Sequence, residues 1–369
     1  MSDATTHPAP TETPSSSPFP PRRIDSLDQF RGYTVVGMLL VNFIGGFVVV
    51  DPILKHHKTY CSYADTIMPQ FFFAVGFAFR LTMLRRRERE GTAAANQHAI
   101  TRVLGLLLIG FAQYHLDGNY KKWADLQALG LWGFLTTAFQ KEVFQTLVHI
   151  ALASLWVLPV ILCKTRTLAL WLVVSAAAHL GLSGWWYYAW LMKRGVIDGG
   201  PLGFFSWAIP LLVGAIAYDF MAKAKRSSVW WLSIFSIVLM AVGYGLTCVD
   251  GRPDAPPFRP PLDAVNLWTM SQQSGSISYQ IFGAGFSLGV YLLFVAITDV
   301  LGVRLGVFRT FGKNPLAAYV LHGIVAGAVK PFVPNDVPLW YLALGFGIYF
   351  GINYLFVRYL EKNGLFLKL

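Results

Sequence analysis

The chain has 369 residues, of which 55% are hydrophobic and only 13% are charged, and its mean hydropathy is +0.49. Soluble domains carry about 25% charged residues, so this composition excludes an ordinary soluble protein. The apolar residues occur in repeated runs of about 20, the length at which a helix crosses the ~30 Å hydrocarbon core of a bilayer. We therefore predict an all-α, polytopic membrane helical bundle.

The charge balance is basic, with 30 Lys and Arg residues against 19 Asp and Glu. The basic residues separate the apolar runs and form no single patch, so nucleic acid is not predicted as a partner. The three cysteines, Cys61, Cys163 and Cys248, have neither the pattern of a disulfide framework nor the spacing of a metal site, and no metal is predicted. Cys61 and Cys248 fall on the same side of the predicted bundle, so a bridge between them stays open.

The first 21 residues are rich in Pro, Ser and Thr and contain no apolar core. This composition predicts a disordered cytoplasmic tail over residues 1–21, and it lacks the apolar region of a signal peptide. Residues 22–369 are then expected to form one transmembrane domain. Its first span serves as its own uncleaved insertion signal.

About ten transmembrane spans are predicted along the chain. In order they are 33–50, 66–84, 101–116, 143–163, 168–192, 204–222, 229–248, 277–300, 314–330 and 337–358. With the N-terminus inside, the inner segments hold about twice as many Lys and Arg residues as the outer segments, as the positive-inside rule requires. Both termini are then cytoplasmic, and the expected location is the inner (cytoplasmic) membrane of a bacterium.

Two segments outside these spans allow more than one interpretation. Residues 123–139 are apolar, but a crossing there would move basic loops to the outside, so we interpret them as an outer interfacial or re-entrant helix. The outer loop at residues 250–275 is the longest connection and carries five prolines. It is either a solvated linker or a lid over the outer mouth of a cavity.

Polar residues cluster around the loop between the first two predicted spans. Asn42 interrupts an apolar run, His56 and His57 stand side by side in the loop, and Asp65 opens the next run. Polar groups at membrane depth cost free energy unless they are paired or face a cavity. The cluster therefore indicates either a site at the outer mouth or three local features, namely a helix–helix hydrogen bond, a hydrated histidine pair and a helix cap.

Several stretches of sequence carry a resemblance to a known family. They are SLDQFRGYTVVGMLLVN, YADTIMPQFFFAVG, QKEVFQTLVH, IDGGPLGFFSWAIPLLVGAIAYD, NLWTMSQQSGS and FGKNPLAAYVLHG, in this order along the chain. Their order and spacing resemble those of the heparan-alpha-glucosaminide N-acetyltransferase family. The similarity extends over about residues 22 to 362. It implies a membrane acyltransferase domain that takes an acetyl group from cytosolic acetyl-CoA and delivers it to an amino sugar, or a related glycan acceptor, on the other side.

The resemblance also implies residue roles. The family's asparagine corresponds to Asn42 and its aspartate to Asp65, and its catalytic histidine lies in the loop between them. That loop is one or two residues shorter here, so both His56 and His57 are candidates, and His56 is nearer to the family's spacing. His322 stands in a span where the family also has a histidine, and we assign it to the acetyl-CoA side.

The chemistry of acetyl transfer suits these residue types independently. Transfer from a thioester to an amine needs a base with a pKa near the working pH, and histidine is the usual one. It also needs a hydrogen-bond donor at the developing oxyanion, a role that the amide of Asn42 can fill. The carboxylate of Asp65 can orient the imidazole or hold the acceptor amine.

A second group of candidates lies on the predicted cytoplasmic side. Asn314 precedes Pro315, the pattern of an N-cap followed by proline at the first helical position. The N–H groups of such a helix start bind anions, and Lys313 adds positive charge, so we predict an entry site for the phosphates of CoA. Arg31 either pairs with Asp28 or contacts CoA.

The competing class is a transporter or lipid-interacting membrane protein without covalent chemistry, because a polar interior suits both. The two halves of the chain show no convincing internal repeat of the kind that transporters often have, which favours the enzyme. Within the enzyme class, the acceptor group is an amine or a hydroxyl. The oligomeric state is left open, a homodimer included.

Overall fold

A computed structural model describes residues 24–115, 122–140, 143–194, 197–223, 226–249, 257–262 and 264–367. All regular elements within these ranges are helical, so the predicted all-α class is confirmed. The tail predicted at residues 1–21 lies outside the described residues.

The helices follow one another closely along the chain. They are α1 (Asp25–Ile44), α2 (Ile67–His115), α3 (Trp123–Gln140), α4 (Thr146–Val157), α5 (Thr165–Leu182), α6 (Tyr188–Arg194), α7 (Phe204–Met221), α8 (Arg226–Thr247), α9 (Ile277–Phe294), α10 (Gly306–Lys313), α11 (Pro315–Val329) and α12 (Leu339–Lys362). A π-helical turn at Ser183–Tyr187 joins α5 to α6, and another at Val295–Val300 extends α9.

Seven helical segments of the described chain are long and apolar enough to cross a membrane. One of them contains α2, which would be roughly 70 Å long if it were straight, more than twice the thickness of a bilayer core. The backbone of α2 leaves helical geometry at Gly91, where φ is 88°. Gly91 therefore divides α2 into two halves, each near the length of one crossing.

The first predicted span was placed too late in the sequence. Helix α1 begins at Asp25 and ends at Ile44, whereas the span was predicted over 33–50. The polar residues at the start of α1 concealed its beginning, because Asp28 and Gln29 are buried by neighbouring helices rather than exposed at a membrane surface. The chain turns at Gly45, so the apolar residues up to Val50 belong to a loop.

Helix α7 forms the centre of the bundle, with every residue from Ser206 to Tyr218 buried. It crosses α2 in backbone contact. A Cβ atom on Gly76 would overlap the backbone of Leu211, and one on Gly214 would overlap the backbone of Phe73. Small residues at such crossings let membrane helices approach closely, and this contact fixes the first half of α2 against the core.

A buried ion pair also joins α2 to α7. The Nε of Arg80 lies 2.9 Å from Oδ1 of Asp219, and its Nη2 lies 3.1 Å from Oδ2. Thr165, at the start of α5, donates to the same carboxylate at 2.8 Å. Because breaking a buried pair of this kind typically costs about 3–5 kcal/mol, it holds three helices in one arrangement.

Two open questions from the sequence concern peripheral features. Helix α3 is not among the seven segments apolar enough to cross, and it breaks at Gly130, where φ is 63°. Its Leu131 and Trp132 are exposed. Cys61 and Cys248 are both free thiols, so the bridge left open between them does not form in this structure.

Candidate functional site

A cavity of about 1180 Å³ lies inside the bundle. It is lined by α1, both halves of α2, the start of α4 and α11, and by loop residues 56–58, 197–198 and 272–273. Five of its lining residues belong to the predicted site, namely Asn42, His56, His57, Asp65 and His322. Residues from distant parts of the sequence therefore meet at one cavity.

Among the predicted site residues that line this cavity, His56 and Asp65 make the shortest polar contact. The Nδ1 of His56 lies 2.9 Å from Oδ1 of Asp65, whose side chain is fully buried. The other oxygen, Oδ2, accepts hydrogen bonds from the backbone N–H and the hydroxyl of Ser62, at 2.9 and 3.0 Å. Asp65 therefore holds the imidazole of His56 rather than capping the following helix.

Asn42 lies between two histidines. Its Oδ1 is 3.3 Å from Nε2 of His56, and its Nδ2 is 3.5 Å from Nε2 of His322. His322 in turn donates from Nδ1 to the backbone oxygen of Tyr319. A chain of polar contacts thus runs from Tyr319 through His322 and Asn42 to His56.

This chain assigns the protons of both rings. Because Nδ1 of His322 carries the proton of this ring, its Nε2 accepts a hydrogen bond from the amide N–H of Asn42. The oxygen of Asn42 then faces Nε2 of His56, which must donate. Since Nδ1 of His56 also donates to Asp65, this arrangement contains His56 as an imidazolium.

The nearby carboxylates also favour the charged form of this ring. Burial lowers the pKa of His56, but the hydrogen bond and charge of Asp65, together with the charge of Asp198, outweigh it and raise the pKa above its ordinary value. About half of the side chain, 46%, is still accessible from the cavity. His56 therefore has an oriented Nδ1 and an accessible Nε2, the arrangement of a general acid or base.

His57 is held by its own loop. Its ring stacks on Tyr60 with the centroids 4.1 Å apart, and its Nε2 lies 2.8 Å from the oxygen of Pro52 and 2.8 Å from the hydroxyl of Tyr60. Its backbone N–H points to Asp65 at 3.4 Å. Of the two adjacent imidazoles, only that of His56 contacts both Asp65 and Asn42.

Asp198 was not predicted as a site residue, although it belongs to IDGGPLGFFSWAIPLLVGAIAYD, one of the stretches that carry the family resemblance. It lines the same cavity, is 5% exposed, and accepts a hydrogen bond from Nε2 of Gln272 at 2.7 Å. Burial raises the pKa of Asp198 to about 6, against the opposing effects of Gln272 and the charge of His56. The sequence does contain a signal for this residue, an acid followed by two glycines. Asp198, Gly199 and Gly200 all adopt positive φ, and two glycines in succession permit such a turn.

A second cavity of about 470 Å³ adjoins the first. The two share the lining residues Phe71, Thr146, Tyr319 and Leu367. The smaller cavity is cationic in the described part of the chain, where Arg31, Arg102 and Lys313 line it together with one carboxylate, Asp28. Nη1 of Arg31 lies 3.7 Å from Oδ1 of Asp28, which is the pair predicted as one alternative.

Arg102 has no carboxylate and no hydrogen-bond acceptor among the described residues, and the like charge of Arg31 acts on it. Two guanidinium groups at one cavity repel each other unless an anion lies between them. The smaller cavity is therefore suited to an anionic group.

Three residues of the predicted donor set have other contacts. Nζ of Lys313 lies 2.7 Å from Oε1 of Glu361. Asn314 precedes α11 as expected, but its side chain makes no capping bond, because it donates to the oxygen of Leu365 at 3.0 Å and accepts from the N–H of Leu367 at 3.1 Å. His322 lies with Asn42 and His56 in the larger cavity, away from the smaller, cationic one.

The described part of the loop at residues 250–275 packs on the loop that carries His56. Phe258 donates from its backbone to the oxygen of Cys61 at 3.1 Å, and the hydroxyl of Ser271 donates to the oxygen of Lys58 at 2.6 Å. Gln272 and Gln273 line the larger cavity. These contacts favour a lid over a solvated linker, while residues 250–256 and 263 lie outside the described residues.

Fold and site together define a helical membrane protein with a histidine–carboxylate pair in a large internal cavity. Within the described residues, no group of three or more His, Cys, Asp or Glu side chains is arranged to hold a metal ion. Sequence comparison finds no known family model that matches the chain and no curated protein that matches it. The resemblance to the heparan-alpha-glucosaminide N-acetyltransferase family therefore rests on the motifs alone.

Proposed function

We propose that this protein is a membrane acyltransferase that moves an acetyl group from cytosolic acetyl-CoA to an amine acceptor, such as an amino sugar, on the opposite side. The observation that carries the proposal is the pairing of two cavities. One contains the His56–Asp65 pair, the other is lined by arginine and lysine, and they share a wall. A base in one and a phosphate-binding surface in the other match the two ends of the reaction.

Our proposed topology retains the ten spans, with both termini cytoplasmic. The two halves of α2 supply two of them, because the arginine-rich run before Gly91 then lies in an inner connection. Helix α1 supplies the first span, because its 20 residues are long enough to cross, although it is not among the seven segments that are both long and apolar enough. Helix α4 is the weakest match, since its 12 residues are shorter than a full crossing. The protein is then a single transmembrane domain of a bacterial cytoplasmic membrane.

In the proposed reaction, the neutral amine nitrogen of the acceptor attacks the thioester carbonyl carbon, and the carbon–sulfur bond breaks. His56, in its neutral form, takes the proton of the attacking amine at Nε2 and passes it to the departing thiolate of CoA. Asp65 keeps Nδ1 protonated, so that Nε2 is the reactive atom. The amide of Asn42, already beside Nε2, is positioned to donate to the oxyanion once His322 releases it.

The donor would lie with its phosphates in the cationic cavity and its thioester at His56. Phosphates pair well with guanidinium groups, and Arg102 has no other anionic partner among the described residues. The shared wall at Phe71 and Tyr319 marks the place where the narrow pantetheine arm would pass between the cavities. A transporter remains the second candidate, because two cavities that share a wall also suit alternating access.

Acetyl-CoA should stabilise the purified protein, and Arg102→Gln should remove most of this effect. A ligand that binds only the folded state adds RT ln(1 + [L]/Kd), about 2.7 kcal/mol at 100 times Kd, so the unfolding temperature rises with ligand concentration. The measurement is thermal unfolding in detergent with and without millimolar CoA or acetyl-CoA.

Arg89→Gln is the matched control, because Arg89 is exposed and does not line the cationic cavity. It should keep the full ligand effect. An unfolding temperature that does not change with millimolar CoA, in protein that is folded without ligand, would favour the transporter.

A further inference from the structure

The wall of the larger cavity at Asp198 has acceptor atoms without donors. Oδ1 of Asp198 accepts from Nε2 of Gln272, and Oδ2 has no hydrogen-bond partner among the described residues. The remaining oxygen of Gln272, Oε1, is buried and also lacks a partner there. Because a carboxylate only accepts, the amide of Gln272 must turn its nitrogen to Asp198 and present its oxygen elsewhere.

The same cavity has a third unfilled acceptor. Oε1 of Gln113, on the second half of α2, is buried without a partner in the described part of the chain. Unpaired buried acceptors cost free energy that a bound donor recovers. A primary ammonium group carries three N–H donors and a positive charge, which matches a carboxylate and unfilled oxygen acceptors that line the same cavity.

The surrounding charges favour the same ligand. Asp65 and Asp198 both line the cavity, and the Asp198 carboxylate acts electrostatically on His56. Among the described residues that line the cavity, Lys58 is the only lysine or arginine, and it is exposed. The Asp65 carboxylate is paired with His56, so the carboxylate left to act on a ligand is that of Asp198. It would repel an anionic ligand, whereas an ammonium group would meet its unfilled acceptor.

We propose that Asp198 is the specificity-determining residue of the acceptor side, and that its carboxylate, with the oxygen of Gln272, binds the primary ammonium group of the acceptor and selects amines over hydroxyls. The acyl-transfer role of this subsite rests on the proposed function, but its ligand binding does not. The bound ammonium gives one proton to Asp198, which later releases it to solvent. The nitrogen then attacks the thioester and gives its second proton to His56, so that one proton is released for each acetyl group transferred.

Binding without acetyl-CoA tests this subsite apart from any transfer. The probes are glucosamine and glucose, which differ in an amine against a hydroxyl, measured by calorimetry in a detergent that has no sugar headgroup. The wild-type protein should bind glucosamine about 10- to 100-fold more tightly than glucose, since hydrogen bonds to charged groups are the stronger ones. Asp198→Asn should bring the two dissociation constants within about threefold and leave glucose binding unchanged.

Asp336→Asn is the control with the same change in net charge, because Asp336 is exposed and does not line the cavity. It should keep the preference for glucosamine. Gln272→Met removes the second acceptor while preserving side-chain length, and it should reduce the preference partly. If Asp198→Asn does not fold, Gln272→Met serves as the test. A reduced preference for glucosamine would support the subsite, and an unchanged preference would refute it.

A folded Asp198→Asn protein that keeps the wild-type preference would overturn this proposal, and so would a wild-type protein that binds both sugars equally. If the preference depends on Asp198 but no acetyl group is ever transferred, the subsite stands and the acyltransferase proposal fails. If transfer to amines occurs without such a preference, the acyltransferase stands and the subsite is refuted.

Discussion

Replacing His56 with glutamine should lower acetyl transfer by about 10²–10⁴-fold, the usual contribution of a general base. Glutamine keeps the polar contacts of the loop but cannot take a proton from the acceptor. His57→Gln should retain most of the rate, because His57 is stacked on Tyr60 and bonded within its own loop. The measurement is the initial rate of N-acetylglucosamine formation by reconstituted vesicles supplied with acetyl-CoA and glucosamine.

The double variant His56→Gln/His57→Gln completes the comparison. Its rate should be within about threefold of that of the single His56 variant. His57 takes no part in the proton transfer, so its loss adds little once the base, His56, has been removed. Retained thermal stabilisation by CoA shows that each variant still folds and binds the donor. Wild-type turnover by the double variant would exclude this loop as the catalytic site.

Asp65→Asn should have the second largest effect, on both the rate and its pH dependence. In the wild type, the anions of Asp65 and Asp198 favour the charged imidazolium and raise the pKa of His56 above 6.5. The base must be neutral to act, so the wild-type rate should rise with pH through this raised value. Removing the Asp65 charge lowers the pKa of His56, and the rise should then occur at lower pH.

The maximal rate of Asp65→Asn should also fall by about 10²-fold or more, because an amide no longer fixes the protonated Nδ1 of His56. The measurement is kcat/KM between pH 5 and pH 9 for both proteins. Asp51→Asn is a suitable control, since Asp51 is exposed in the same loop and, among the described residues, its side chain accepts only from the N–H of Ile53. If kcat/KM of Asp65→Asn rises over the same pH range as in the wild type, a group other than His56 controls that rise.

Much of the fold could be predicted from the sequence, because apolar length alone identifies a membrane helix. The span predicted at 204–222 corresponds to α7 at Phe204–Met221, and that at 277–300 corresponds to α9 with its π-helical turn. The predicted bounds of the first span were wrong because protein, not lipid, surrounds the polar residues at the start of α1. A hydropathy pattern cannot distinguish these two environments.

The candidate site was predictable where its members are near in sequence. Asn42, His56 and Asp65 flank one loop, and the structure brings all three into contact. Asp198 and Gln272 are 74 positions apart, and only the folded chain shows that they meet. The role of Asn314 was missed for a similar reason, because its partners, Leu365 and Leu367, lie in the segment that follows α12.

In the proposed reaction, acetyl groups cross the membrane through this protein, and sealed vesicles show whether they do. Acetyl-CoA with a labelled acetyl group is supplied outside vesicles in which the cationic cavity faces outward, and glucosamine is trapped in the lumen. We expect labelled N-acetylglucosamine to accumulate in the lumen with the wild-type protein and to be absent with His56→Gln. Labelled product found only outside the vesicles, or no product from protein that acetyl-CoA stabilises, would refute transfer of acetyl groups across the membrane.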